Sequence, residues 1–218
     1  MTTNKLGRPS GESQTRAALI ESARACFLNN SYERVSIREL ARRANVDAAM
    51  IRYYFGSKAG LFETMVRDTM APVLDILRNT LMNDQHQPIE LMHAYYQMMA
   101  ANPALPRLIY QVMNNQSSNE AFDALSSVFL EILEHSTSWV QKLAEHQQLN
   151  TGLDPKLVRL SFISLMVFPL IAPKAVMQHF GFTLSDEMLA TLLQHNHQVM
   201  QNGLFSRDTL DSTTQERK

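Results

Sequence analysis

Arg52, Tyr53, Tyr54 and Lys58 fall close together in "AAMIRYYFGSKAGLF", residues 48–62. Two cations and two phenols at that spacing suit a polyanion. Arginine and lysine meet phosphate oxygens, tyrosine hydroxyls donate to the same atoms, and an arginine can pair with a guanine edge. Gly56 and Ser57 follow, and a serine that opens a helix leaves N–H groups and partial positive charge suited to a phosphate. Nothing comparable points to covalent or metal chemistry. His195 and His197 are two apart in a helical pattern and face different directions. No His/Cys/Asp/Glu set has ligand spacing, and no Gly-rich phosphate loop or Gly-x-Ser-x-Gly elbow occurs. Cys26, the single cysteine, reads as an apolar core residue beside Phe27, with a thiol sensor as the weaker alternative. The expectation is a chain that is not an enzyme and carries no cofactor or metal.

Charge asymmetry supports the polyanion. Residues 1–60 hold ten Lys/Arg against five Asp/Glu, a balance of +5 in a chain whose net charge is −1, so the remainder sums to −6. A basic head on an acidic body suggests that the head meets a polyanion. Hydrophobic residues at 45% and charged residues at 19% are ordinary for a globular chain. One cysteine fits a reducing compartment, no apolar leader follows the start, and no apolar run reaches the length of a membrane span. These features predict a cytoplasmic protein with no membrane partner.

The elements that must position these residues are helices, because apolar residues recur at helical spacing nearly throughout. The first covers about 12–30, with Ala17, Ile20, Ala23 and Phe27 on one face. In "SIRELARRA", Ser36 is an N-cap with Glu39 three residues on, a capping box. Ile37, Leu40, Ala41 and Ala44 form its buried stripe, and Arg38, Arg42 and Arg43 lie opposite. Asn45 suits a left-handed stop, and Asp47 caps a short helix over about 48–54. Two helices joined by so tight a turn read as a helix-turn-helix, with Asp47, Ala48, Ala49 and Met50 starting the helix that enters the major groove. Phe55 reads as core. A long helix over 57–82 follows, which Pro72 should kink or split, and then helices near 88–101, 103–115, 119–147, 154–178 and 185–203.

Residues 16–66 resemble the DNA-binding domain of the TetR/AcrR family of transcriptional regulators. The resemblance rests on Ile20, Ala23 and Phe27 in the first helix, and on Ser36, Leu40 and Ala41 in the second. Tyr53, Tyr54, Phe55, Lys58 and Leu61 match the closing aromatic-lysine cluster. Ser31 and Asn45 stand where the family usually has glycine, and Arg52 where an aromatic is common. The expected fold is all-α: an N-terminal three-helix helix-turn-helix DNA-binding domain plus a larger C-terminal helical ligand-binding and dimerisation domain. The expected divisions are a flexible basic arm (1–11), the DNA-binding domain (12–60), the body (61–205) and a disordered tail (206–218). Expected DNA-binding residues are Arg8, Ser36, Arg38, Asp47, Ala48, Ala49, Met50, Arg52, Tyr53, Tyr54 and Lys58, with Arg8 reaching a minor groove.

The resemblance places an effector pocket and a dimer interface in the body. Met and aromatic side chains suit an apolar, adaptable pocket as a group, although for any one of them plain core is the better reading. The pocket candidates are Met92, Tyr95, Tyr96, Met99, Tyr110, Met113, Phe129, His135, Trp139, Phe162 and Met166. "LVRLSFISLMVFPLIAP" is apolar almost all round and asks for a second cover, which a partner subunit supplies. Leu160, Ile163, Val167, Ile171, Leu189, Leu192, Leu193 and Val199 are the dimer candidates. The implied protein is a ligand-responsive repressor that binds a palindromic double-stranded DNA operator as a homodimer and is released by a small apolar or aromatic effector. The alternative is a constitutive DNA-binding protein whose body only dimerises.

Overall fold

A computed structural model describes residues 11–83, 88–114 and 119–206. Arg8, with most of the expected arm and tail, lies outside the described residues. The regular elements described are helices, with no strand among the described residues: α1 (Gly11–Phe27), α2 (Ile37–Ala44), α3 (Ala49–Phe55), α4 (Lys58–Asn83), α5 (Pro88–Ala101), α6 (Leu105–Asn114), α7 (Asn119–Glu145), α8 (Pro155–Ile171), α9 (Lys174–His179) and α10 (Asp186–Gly203). A single 3-10 turn, Tyr32–Arg34, joins α1 to α2. The chain divides into two compact units, residues 1–68 with 111–126 and residues 69–110 with 127–218. The head therefore keeps the opening turns of α4 and takes in the end of α6 and the start of α7, where the sequence suggests one boundary at 60.

The head closes on three rings. Phe27 packs edge-on against Phe62 at 4.9 Å between centroids, and Tyr32 lies 5.2 Å from Phe62 and 5.6 Å from Phe27. Leu19, Ile20, Ala23, Cys26 and Phe27 form the buried stripe of α1. Ala17 is exposed, because each step of three residues drifts about 60° from the stripe of a 3.6-residue helix, and two such steps separate it from Ala23. The buried Ser22 hydroxyl donates to the Leu40 carbonyl at 2.8 Å and ties α1 to α2. Burial pushes the Cys26 thiol pKa up, Glu39 adds to the shift, and Arg43, the Ser22 hydroxyl and Arg42 oppose it. A thiol so held is a poor nucleophile. Cys26 should therefore react with iodoacetamide in the native chain only as fast as the head opens, and freely in urea; equal rates in both states, read by mass spectrometry, would contradict this packing.

The second unit centres on α5, α8 and α10. Val158, Phe162, Met166 and Leu170 repeat every four residues as the buried stripe of α8, and Phe162 meets Trp139 of α7 edge-on at 5.1 Å. Two prolines behave differently from the sequence expectation. Pro72 does not split α4. It is exposed together with Asp68, so solvent can meet the Asp68 carbonyl that the ring leaves without a helical donor. Pro173 does end a helix: Ala172, at φ −55 and ψ 142, leaves the helical region, so the expected helix over 154–178 is two, α8 and α9.

Candidate nucleic-acid interface

Short-range caps build this site. The Ser36 hydroxyl accepts from the Glu39 N–H at 3.2 Å and opens α2. Asn45, at φ 54 and ψ 46, stops it in the left-handed region. Asp47 Oδ1 accepts from the Ala49 N–H at 2.7 Å and opens α3. Gly56, at φ 75, ends α3, and the Ser57 hydroxyl accepts from the Gly60 N–H at 3.0 Å to open α4. Each such side-chain cap is worth about 1 kcal/mol. Ser31 has φ −64 and ψ 152, an extended conformation open to any residue, so serine fits where the family uses glycine.

Within this frame Ile51 is the buried anchor of α3. Ala49, Arg52 and Tyr53, at i, i+3 and i+4, share its exposed face, and Met50 and Tyr54 are half-buried at its margins. Tyr53 and Tyr54 meet edge-on at 4.8 Å. Phe55, expected in the core, is only half-buried and lies under the Arg16 guanidinium at 5.5 Å. On α2, Arg38 and Arg42 project one turn apart and Arg43 stands beside them, all exposed. Arg38 and Arg52 line an open notch of about 760 Å³ together with Ser36, Ala48, Ser57 and Lys58, and Glu33 and Glu120 line it too. The surface that results is cationic and aromatic, presented by a capped helix-turn-helix.

Three residues on the expected list take other parts. The Asp47 carboxylate and the Ser36 hydroxyl are bonded to backbone N–H groups, so they position the two helices. Lys58, expected on a phosphate, turns inward. Its ammonium donates to the carbonyls of Tyr32 at 3.0 Å and Val35 at 3.1 Å and sits 4.0 Å from the centre of the Tyr32 ring. Burial pushes its pKa down, and Glu120 and Glu33 pull it back up. Sequence reasoning also passes over Gly60. A Cβ there would overlap the Phe55 carbonyl oxygen and lie 3.2 Å from its carbon, so the start of α4 passes the end of α3 closely enough that only glycine fits.

Residues 19–65 match the profile of the bacterial regulatory proteins of the tetR family, a span that contains α2, the turn, α3 and the start of α4. This segment carries a DNA-binding helix-turn-helix similar to that of the tetR-family transcriptional regulators. The chain is 28% identical to "Probable HTH-type transcriptional regulator YttP" of Bacillus subtilis (strain 168). That match covers 48% of this chain and 53% of that protein, so it spans about half the length of the curated relative. The fold is similar to that of NalD, the secondary repressor of the MexAB-OprM multidrug efflux pump in Pseudomonas aeruginosa. The TM-score is 0.67 at 20% identity over 89% of this chain and 98% of that one. It is also similar to the transcriptional regulator FadR from Bacillus subtilis in complex with stearoyl-CoA. That TM-score is 0.62 at 16% identity over 82% and 95% of the two chains.

In the second unit the effector candidates separate. Met92, Tyr95, Tyr96, Met99, Trp139, Phe162 and Met166 are buried. Phe129 is half-buried, Tyr110 is half exposed, and Met113 belongs to the head. His135 is half-buried and lies 3.7 Å from Glu131, and Trp139 is buried. Two grooves are described on this unit. One, of about 560 Å³, runs between α5 and α10 and is lined by Tyr96, Leu189 and Leu193 among others. The other, of about 590 Å³, runs between α8 and α10 and is lined by Leu165, Phe168, Pro169, Leu192, Asn196 and Val199 among others. Of the effector candidates, Tyr96 alone lines either of these two.

The dimer candidates also divide. Leu160 is 60% exposed and Val199 40% exposed, while Ile163, Val167, Ile171, Leu192 and Leu193 are half-buried. Leu189 is 6% exposed and faces the α5 side, so it is a protomer core residue. Leu157 and Phe168, absent from the candidates, are exposed and extend the open apolar stripe of α8. Among the described residues no group of three or more His, Cys, Asp or Glu could hold a metal ion, and no described helix is long and apolar enough to cross a membrane.

Proposed function

We propose that the chain is a repressor that binds a palindromic operator as a homodimer and releases it when a small apolar or aromatic molecule enters the body. The observation that carries this reading is the exposed face of Ala49, Arg52 and Tyr53 on a capped α3, flanked by Arg38, Arg42 and Arg43 of α2. An exposed helix face with cations beside it fits the major groove, with arginines on phosphates and α3 on base edges. One short helix reads few base pairs, and two copies related by a two-fold axis read a palindrome. The open apolar stripe Leu157, Leu160 and Phe168 supports the second copy. The buried Met and aromatic side chains of α5, α7 and α8 support an apolar effector, and FadR from Bacillus subtilis, similar in fold, is seen with stearoyl-CoA. A ligand that prefers a body conformation with a different separation of heads shifts the population away from DNA.

Fluorescence anisotropy tests this directly, with DNA from upstream of the gene against scrambled DNA, over a series of salt concentrations. The expected result is a preference for the upstream DNA, with affinity falling steeply as salt rises, since each phosphate contact contributes a slope of about −0.9 in log K against log salt. Equal weak binding to both DNAs at every salt concentration overturns the operator reading.

A further inference from the structure

A proline inside a helix removes the N–H that should reach the carbonyl four residues earlier. In α8 that proline is Pro169 and the carbonyl is that of Leu165. Unlike the exposed site at Pro72, this carbonyl is met by two side chains from other helices. The Tyr96 hydroxyl of α5 donates to it at 3.1 Å, and Asn196 Nδ2 of α10 donates to it at 3.1 Å. Asn196 Nδ2 also donates to the Tyr96 oxygen at 3.0 Å, which closes a triangle. Asn196 is 1% exposed and Tyr96 is 3% exposed. Burial pushes the Tyr96 hydroxyl up to about 12, against the opposing Asn196 bond, so it stays a donor at every working pH. A buried polar set is costly unless its members are satisfied together, and then it favours one arrangement of the elements that carry it.

The triangle stands at the wall of the α8–α10 groove, to which Leu165, Pro169 and Asn196 all contribute. That groove is lined without Lys, Arg, Asp or Glu, and the exposed Leu157, Leu160 and Phe168 continue along α8. An apolar, uncharged face suits a copy of itself, because a two-fold axis brings the same patch to both sides.

We propose that Tyr96 and Asn196 are the positioning residues of the dimer. By meeting the carbonyl that Pro169 leaves open, they hold α8 against α5 and α10 in the one arrangement at which the α8–α10 face receives a second copy of the chain. This rests on the homodimer reading above. Tyr96→Phe removes two hydrogen bonds at almost constant volume, the one donated to Leu165 and the one accepted from Asn196, and Asn196→Leu removes both bonds that its amide donates. Pro169→Ala returns an N–H to α8, so the Leu165 carbonyl regains a partner within its own helix and no longer needs either side chain.

Sedimentation of the full chain across a concentration series reads the dimer constant, and a thermal melt of each variant controls for folding. Tyr96→Phe and Asn196→Leu should each weaken the dimer about tenfold, the worth of one to two buried hydrogen bonds. Adding Pro169→Ala to either should bring the constant back to that of Pro169→Ala alone. Loss of dimer without that rescue overturns the proposal, since generic packing damage would not be repaired by a backbone N–H. A dimer unchanged in Tyr96→Phe, the variant least able to misfold, overturns it as well. A parent chain that stays monomeric throughout overturns the homodimer reading itself and takes this inference with it, a result distinct from a dimeric parent with indifferent variants.

Discussion

A Gly60→Ala chain should melt well below the parent and lose its preference for operator DNA. The added methyl is directed at the Phe55 carbonyl, a backbone atom that cannot swing aside as a side chain would. Relief requires α3 to lift from the start of α4, and α3 carries Arg52 and Tyr53 on its exposed face. Forcing one methyl into a close-packed contact costs about 1–3 kcal/mol, and the upper end applies where backbone must move. On the proposed reading α3 meets base edges, so affinity for the operator should fall further than affinity for scrambled DNA. Gly203→Ala is the matched control, because a Cβ at the end of α10 meets nothing within 4 Å. It should leave the melt unchanged or raise it slightly. Circular dichroism melts and anisotropy on both variants decide the matter. Equal melting temperatures for the two would show that α4 does not press on α3.

Lys58 and Arg52 should separate cleanly in the same assays. Lys58→Met removes an ammonium that donates to two carbonyls and covers the Tyr32 ring. Hydrogen bonds to charged groups are worth about 1.5–3 kcal/mol each, and losing this donor strands two part-buried acceptors at once. The head should melt at lower temperature, yet the salt dependence of DNA binding by the folded chain should keep its slope. Arg52→Ala should do the reverse. It is exposed on α3, so the melt should barely move while the slope falls by about 0.9 per subunit if it meets one phosphate. A Lys58→Met chain that keeps its melt and loses slope would return Lys58 to the DNA face.

The caps show what a sequence reveals best. Ser36, Asn45 and Asp47 act on atoms within four residues of themselves, and their chemistry admits few alternatives, so the helix-turn-helix was readable before any coordinates. Lys58 has partners 26 and 23 residues away, and those partners are backbone carbonyls that no side-chain type announces. Gly60 reads as an ordinary helical glycine until the neighbouring carbonyl is placed. In the body the difficulty is of another kind. A Met or Tyr in a pocket wall and one in solid core share the same periodicity, so spacing does not say which of the two Met92 and Phe162 are. The apolar helix α8 shows that something must cover it. Which of its leucines face outward depends on the packing against α5 and α10, and the same packing sends Leu189 inward while Leu160 stays open. The triangle at Leu165 was hidden for the same reason as Lys58, because its acceptor is backbone.

That Lys58 grips main-chain oxygens has a consequence for how this head can vary. Side chains at positions 33 and 34 are exposed and supply none of the hydrogen bonds of the grip, although the Glu33 carboxylate helps to hold the ammonium charged. A saturation library across 32–35 and 58 should therefore be lopsided, with 33 and 34 accepting most substitutions that allow the turn and 58 accepting almost none. Drift in the connecting turn then leaves no trace on the architecture, and the head can diverge there while α3 stays in place.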